Sequence, residues 1–189
     1  MTRFARIISW IGHPLLFITA SITSIVALQL ANRTGLVVLA TLLVSVILPT
    51  AFLLFRGVRS GRWSDADVSI RTERTRFYPM AIPFSALAVA ALWFMRAPDF
   101  VVHGAIVTFV LLVLAALANL RIKLSLHALF AFYCTVILFR IGPVIGTVAL
   151  VLTLLVFWSR LYLQRHNMQE MVTGALLGIG GGIAAAWWP

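Results

Sequence analysis

The sequence predicts an all-α fold, a polytopic membrane helix bundle of about six to seven transmembrane helices. Three observations predict it. Hydrophobic residues make up 62% of the 189 residues and charged residues only 11%, whereas a soluble domain is nearer half apolar and a quarter charged. The apolar residues gather into runs close to the roughly 20 residues that a helix needs to cross hydrocarbon. The breaks between runs are short and built from Gly, Pro, Asn and Arg, as in Asn32-Arg33-Thr34-Gly35, Arg96-Ala97-Pro98-Asp99 and Arg140-Ile141-Gly142-Pro143, which are turn formers and helix breakers. No polar stretch is long enough for a soluble domain, so residues 1–189 read as a single integral membrane domain.

The runs follow in order. Residues 8–31 come after Met1-Thr2-Arg3-Phe4-Ala5-Arg6; the run is too long for the apolar core of a signal peptide and shows no small-residue cleavage site, so it reads as a retained first span. Residues 36–55 form the second run. Between Arg56 and Tyr78 lies the longest polar stretch, with six arginines and three acids, expected to be a loop with a short surface helix. The remaining runs are 80–96, 101–120, 125–141, 143–158 and 167–188, of which 80–96 and 125–141 are short enough to be tilted or partly re-entrant. Trp187-Trp188 reads as an interfacial aromatic anchor. Cys134, the only cysteine, lies inside an apolar run; it excludes an intrachain disulfide and reads as inert packing.

The net charge of +10 arises from 15 Lys+Arg against 5 Asp+Glu. In a soluble chain such an excess points to nucleic acid. Here the cations sit in short loops, which points instead to the bilayer and to anionic headgroups or lipid-linked phosphates, and not to nucleic acid. With seven spans, Arg3, Arg6, Arg56, Arg59, Arg62, Arg71, Arg74, Arg76, Arg121, Lys123, Arg160 and Arg165 share one side, and Arg33, Arg96 and Arg140 the other. Twelve against three places the N-terminus in the cytoplasm of a bacterial inner or plasma membrane. Setting aside five cations as substrate ligands still leaves seven against three.

Three polar clusters share that side: Asp67 to Pro79, with Arg71, Arg74 and Arg76; Lys123-Leu124-Ser125-Leu126-His127; and Ser159-Arg160 followed by His166 and Glu170. Ionisable groups at the edge of hydrocarbon are costly and therefore candidates for function. His166 and Glu170 are four residues apart, so on a helix they share a face, and a carboxylate that fixes an imidazole tautomer prepares it to attack or to move protons. Arginine forks, a lysine and helix N-termini together suit a tetrahedral oxyanion.

These clusters resemble the motifs of the type 2 phosphatidic acid phosphatase superfamily, the membrane lipid phosphatases related to vanadium haloperoxidases. The family pattern Ser-Arg-x5-His-x3-Asp is met by Ser159, Arg160, His166 and Glu170, with Glu in place of Asp. The pattern Pro-Ser-Gly-His is met at Ser125 and His127, with Leu124 and Leu126 in place of Pro and Gly. The pattern Lys-x6-Arg-Pro has no strict match; Arg71 and Arg74 are its nearest substitutes, with Arg76 as a rival. Gly174 and Gly178 fit as points of close helix approach. The resemblance covers about residues 65–182.

It implies a lipid phosphatase acting on a polyprenyl diphosphate, phosphatidic acid or phosphatidylglycerol phosphate, with the phosphate-bearing lipid as its partner. His166 would be the nucleophile forming a phosphohistidine, Glu170 its orienting carboxylate, and His127 the acid for the leaving group and then the base for water. Lys123, Ser125, Arg160, Arg71 and Arg74 would bind phosphate. No cofactor and no metal is implied, since cations supply the charge neutralisation. Members of the family often act on the outer face, whereas the charge count puts these clusters inside.

The plainer readings are a non-catalytic module that binds anionic headgroups, a lipid phosphotransferase, and a small transporter or flippase subunit; the last expects polar residues within the spans, and almost none lie away from the motifs. His13, beside Pro14, lacks a motif and reads as interfacial, and His103 reads as structural. Gly180-Gly181-Gly182 lies inside a span and reads as packing.

Overall fold

The structure, a computed structural model, describes residues 1–187; Trp188, half of the expected aromatic anchor, lies outside the described residues. Among these the fold is all-helical. The helices are α1 (Thr2–Ile11), α2 (Pro14–Gln29), α3 (Arg33–Leu42), α4 (Leu48–Arg59), α5 (Arg71–Phe94), α6 (Asp99–Ala118), α7 (Leu126–Ile141), α8 (Pro143–Tyr162) and α9 (Met168–Ala186), with a π-helical turn at Leu43–Ile47 joining α3 to α4.

Four helical stretches are long and apolar enough to cross a membrane: Arg33–Arg59, Arg71–Phe94, Asp99–Ala118 and Pro143–Tyr162; the bent pair α1 and α2 makes five if it counts as one span. The sequence-based count of six to seven adds two shorter or more polar helices. α7 has 16 residues, about 24 Å at the helical rise, against about 30 Å of hydrocarbon. In α9, Gln169, Glu170 and five glycines dilute the apolar content. The spanning helices turn large side chains outward: Val44, Leu48 and Phe52; Ile106, Val110, Leu114 and Leu117; Val144, Val148 and Val151 are all exposed. Water does not tolerate apolar faces of that extent on a soluble protein, and acyl chains do.

Two expected elements differ. The run 8–31 is not one straight helix: α1 and α2 meet at 53°. Pro14 lacks an N–H and opens α2, while the Nδ1 of His13 accepts the Leu15 N–H at 3.3 Å and caps it. Gly12 sits at the break because a Cβ there would lie 2.1 Å from a methyl of Val156. The polar stretch 56–78 is less of a loop than expected, since α4 runs through Arg59 and α5 starts at Arg71. Glu73, in the first turn of α5, suits the positive end of the helix dipole and accepts from the N–H and hydroxyl of Ser64 at 3.1 Å. The π turn precedes Pro49, whose ring would meet the carbonyl four residues back in a regular α-helix.

The chain divides into two compact units. One is Met1–Gln29 with the chain from Lys123 onward. Its centre is α7, packed on α9, α8 and α2, while α1 lies on α8. The approach of α7 to α9 is set by glycines: a Cβ at Gly174 would lie 2.6 Å from the Ser125 carbonyl oxygen, and one at Gly178 2.2 Å from that of Leu129. Gly182 continues the stripe against Tyr133 and Val136. Between α7 and α8, Thr135 and Thr153 hydroxyls bond at 2.8 Å and Thr153 donates to the Ala131 carbonyl at 3.2 Å, satisfying both without water.

The other unit is Leu30–Ile122. There α5 packs on α6 and on the π turn, over a core of Val38, Leu92, Ala97 and Val102. Trp63 is buried in the 60–70 loop with its ring on Gly57 and edge-on to Phe77 at 6.0 Å, which ties the loop to α4 and α5.

Gly178→Ala drives a methyl into backbone and is expected to cost about 1–3 kcal/mol. Gly180, where a Cβ meets nothing within 4 Å, is the control: Gly180→Ala is expected to be neutral or stabilising by up to about 1 kcal/mol. Thermal unfolding of both variants in detergent reads the difference.

Candidate functional site

In the first unit the N-terminal ends of α7 and α9 meet, because the glycine stripe lets the two helices close until the Ser125 N–H donates to the Glu170 carbonyl at 3.2 Å. Helix N-termini carry unsatisfied N–H groups and partial positive charge, so two of them side by side favour an anion. Ser125 is the N-cap of α7, its hydroxyl accepting the Ala128 N–H at 3.3 Å. His127 follows in the first turn and is buried.

His166 reaches the same region through the end of α8. Arg160 lies in the last turn; Leu163 N–H then donates to Ser159, Gln164 N–H to Leu161 and Arg165 N–H to Arg160, with Gln164 in the left-handed region at φ 53°. These bonds close the helix and reverse the chain, which is the physical content of the five residues between Arg160 and His166. Asn167 then caps α9.

Glu170 does several jobs at once. Its Oε2 is 2.7 Å from His166 Nδ1 and 3.8 Å from Lys123 Nζ. The same oxygen accepts the Asn167 N–H at 3.4 Å, while the Asn167 side chain accepts the Glu170 N–H at 2.9 Å, completing a capping box. A carboxylate accepts only, so His166 carries a ring proton on Nδ1, and in the neutral ring the lone pair is then on Nε2. Lys123 Nζ also donates to the Arg165 carbonyl at 2.9 Å. Arg160, fully buried at 1% exposure, donates from Nη1 to Ser9 Oγ at 2.7 Å.

The structure therefore brings Lys123, His166 and Glu170 into direct contact, with Ser125 bonded to the Glu170 backbone. It also adds two residues that the motifs do not contain. Ser9 holds Arg160, and the rings of His13 and His127 meet edge to face, centroids 5.7 Å apart at 83°. The break Gly12-His13-Pro14 was the available signal for the second.

Arg71 and Arg74 belong to the other unit. Arg71 donates from Nε to the Asn119 carbonyl at 2.8 Å and from Nη2 to that of Leu120, closing the C-terminal end of α6, and Asn119 returns a bond to the Arg71 carbonyl at 3.2 Å. Arg74 is buried and donates from Nε to the carbonyl of Val68, a β-branched residue held at φ 47°, where strain of order 1–3 kcal/mol needs an anchor. Arg76 is exposed.

No family model, no curated protein and no solved structure matches this chain. The resemblance described above therefore rests on its residues and their spacing.

Two substitutions separate the jobs of Glu170. Glu170→Gln keeps the capping box, in which Gln serves as well as Glu, and removes the charge facing Nδ1. Glu170→Ala removes both and is expected to cost about 1 kcal/mol more in detergent unfolding, the scale of a lost cap. In both, the nitrogen NMR signals of His166 are expected to move toward a mixture of tautomers.

Proposed function

We propose that this chain is a membrane-embedded lipid phosphatase that hydrolyses a phosphomonoester or diphosphate on a lipid through a phosphohistidine. The observation that carries the reading is the 2.7 Å bond from His166 Nδ1 to Glu170 at paired helix N-termini beside Lys123. It orients the ring so that Nε2 can serve as the nucleophile, with Lys123 3.8 Å from the same carboxylate oxygen. The match of Ser159, Arg160 and His166 to the superfamily pattern supports the same chemistry.

His166 Nε2 attacks phosphorus and the bond from phosphorus to the leaving oxygen breaks. Protonated His127 gives its proton to that oxygen, releasing the lipid alcohol or lipid phosphate. Water then attacks the phosphohistidine, neutral His127 takes its proton, and inorganic phosphate leaves. Lys123 and Arg160 offset the charge that develops on the phosphoryl oxygens, and the N-termini of α7 and α9 add dipole. Arg71 and Arg74 enter as phosphate ligands through the resemblance alone; their contacts inside their own unit already account for them structurally.

Phosphate release from a panel of polyprenyl diphosphate, phosphatidic acid and phosphatidylglycerol phosphate tests the reading. Wild type is expected to turn over at least one of them. His166→Ala is expected to abolish turnover, and His127→Ala to slow it by about 10²–10⁴-fold, the scale of a general acid-base group. A headgroup-binding module would instead show no turnover in wild type and would keep most of its lipid affinity in His166→Ala. A phosphotransferase would give a new phosphate ester in place of free phosphate.

The proposal includes six to seven crossings with α7 and α9 among them, and an N-terminus and site on the cytoplasmic side, supported by twelve basic residues against three. In a Cys134→Ser background, a cysteine replacing Ser60 is expected to resist an impermeant thiol reagent in intact cells, and one replacing Asp99 to react.

A further inference from the structure

Two contacts of the candidate site come from outside the region that resembles the superfamily, and both come from the bent N-terminal pair. Ser9 is on α1 and His13 stands at the break between α1 and α2. They are four residues apart, and each touches a different member of the chemistry: Ser9 Oγ takes a 2.7 Å hydrogen bond from Arg160, and the ring of His13 lies edge to face on His127.

We propose that Ser9 and His13 are positioning residues of this site, so that the N-terminal segment is a working part of it and not only a membrane anchor. The inference rests on the phosphatase reading of His127 and Arg160. A guanidinium has five N–H donors in one rigid plane, so pinning Nη1 on Ser9 sets the plane in which the others present themselves to a phosphoryl group. Ser9 is itself buried, and α1 is held on α8 with Gly12 against Val156. The anchor for Arg160 is thus fixed to the helix that carries Arg160.

His13 acts on ring orientation. Its Nδ1 accepts the Leu15 N–H, so the neutral ring bears its proton on Nε2 and cannot rotate without uncapping α2. A ring locked in this way and packed edge to face on a second imidazole restricts the rotation of that imidazole. His127 must give a proton to one oxygen and later take one from water at nearly the same place, and restricted rotation keeps its nitrogen aimed at both. The bend at Gly12-His13-Pro14, which spoils a straight first span, is what puts a side chain there.

The two residues are expected to fail in different ways. His13→Asn keeps a good N-cap acceptor and removes the imidazole; kcat is expected to fall roughly 10- to 100-fold, the scale of a lost orienting contact, with KM and thermal stability little changed. Ser9→Ala is expected to raise KM, lower kcat/KM and weaken inhibition by orthovanadate by a similar factor. The ring nitrogen signals of His127, read in histidine-labelled protein in detergent, are expected to shift in His13→Asn and not in Ser9→Ala. If His13→Asn turns over like wild type and the His127 signals do not move, the role of His13 is overturned and it is a cap alone. If Ser9→Ala leaves KM and vanadate inhibition unchanged, the role of Ser9 is overturned. A wild type that neither turns over the panel nor binds orthovanadate overturns the phosphatase reading itself, while the His127 signals still decide whether His13 orients that ring.

Discussion

The close approach of α7 to α9 is the constraint on which the site depends. A Cβ at Gly174 or Gly178 would lie 2.6 or 2.2 Å from the carbonyl oxygen of Ser125 or Leu129, so no side chain fits between the two backbones at these two positions of α9. Only at that separation can the Ser125 N–H donate to the Glu170 carbonyl. In a bilayer the hydrophobic effect does little to hold helices together, and association relies on packing and on interhelical hydrogen bonds. The same glycines that give contact between the helices therefore also set the spacing of Ser125, Lys123 and Glu170. Fold and site are one geometric condition here, and a methyl group at Gly178 strains both.

Glutamate at 170, where the superfamily pattern has aspartate, has a local reason. Residue 170 is the third position of α9, from which a glutamate reaches back to the N-cap N–H in a capping box. One oxygen accepts that N–H and meets His166 Nδ1. An aspartate is one methylene shorter and reaches the N-cap less readily from the third position. The carboxylate thus stabilises the start of the helix and the tautomer of the nucleophile candidate with the same atom. The other departures, Leu124 and Leu126, fall beside residues whose backbone or side chains are already engaged: Leu124 is buried and Ser125 caps α7.

Much of this was legible because it is local. The four-residue spacing of His166 and Glu170 suggests a pair, and the pair bonds at 2.7 Å, although not on one helical face: His166 precedes the Asn167 N-cap of α9 and Glu170 reaches back to it from the first turn. The expectation of close approach at Gly174 and Gly178 needs only the rule that small residues let helices meet. What was not legible depends on distant chain. His13 carries no motif, and its contact with His127 joins residues more than a hundred positions apart. Ser9 is an ordinary serine in an apolar run until Arg160 is folded onto it. The bend within the first span was not legible because hydropathy sums over a window and does not register a Gly-His-Pro break. The arginines 71 and 74 illustrate the converse: they are the nearest substitutes for a pattern with no strict match, and they donate to carbonyls that close α6 and hold a strained loop residue.

The charge around the site narrows the chemistry it can serve. Among residues 1–29 and 123–187 Glu170 is the only acid, and its carboxylate is taken up by His166, the Asn167 N–H and Lys123. Against it stand Lys123, Arg160 and two helix N-termini, all of which are harder to leave unneutralised at the edge of hydrocarbon than in water. A multiply charged oxyanion offsets that excess, and a single carboxylate or a neutral headgroup offsets less of it. The electrostatics alone would be met by a bound phosphate; what a binder has no need of is an imidazole whose proton is fixed on Nδ1. The proposed turnover, as distinct from binding, therefore rests on the His166 and Glu170 pair and not on the basic pocket.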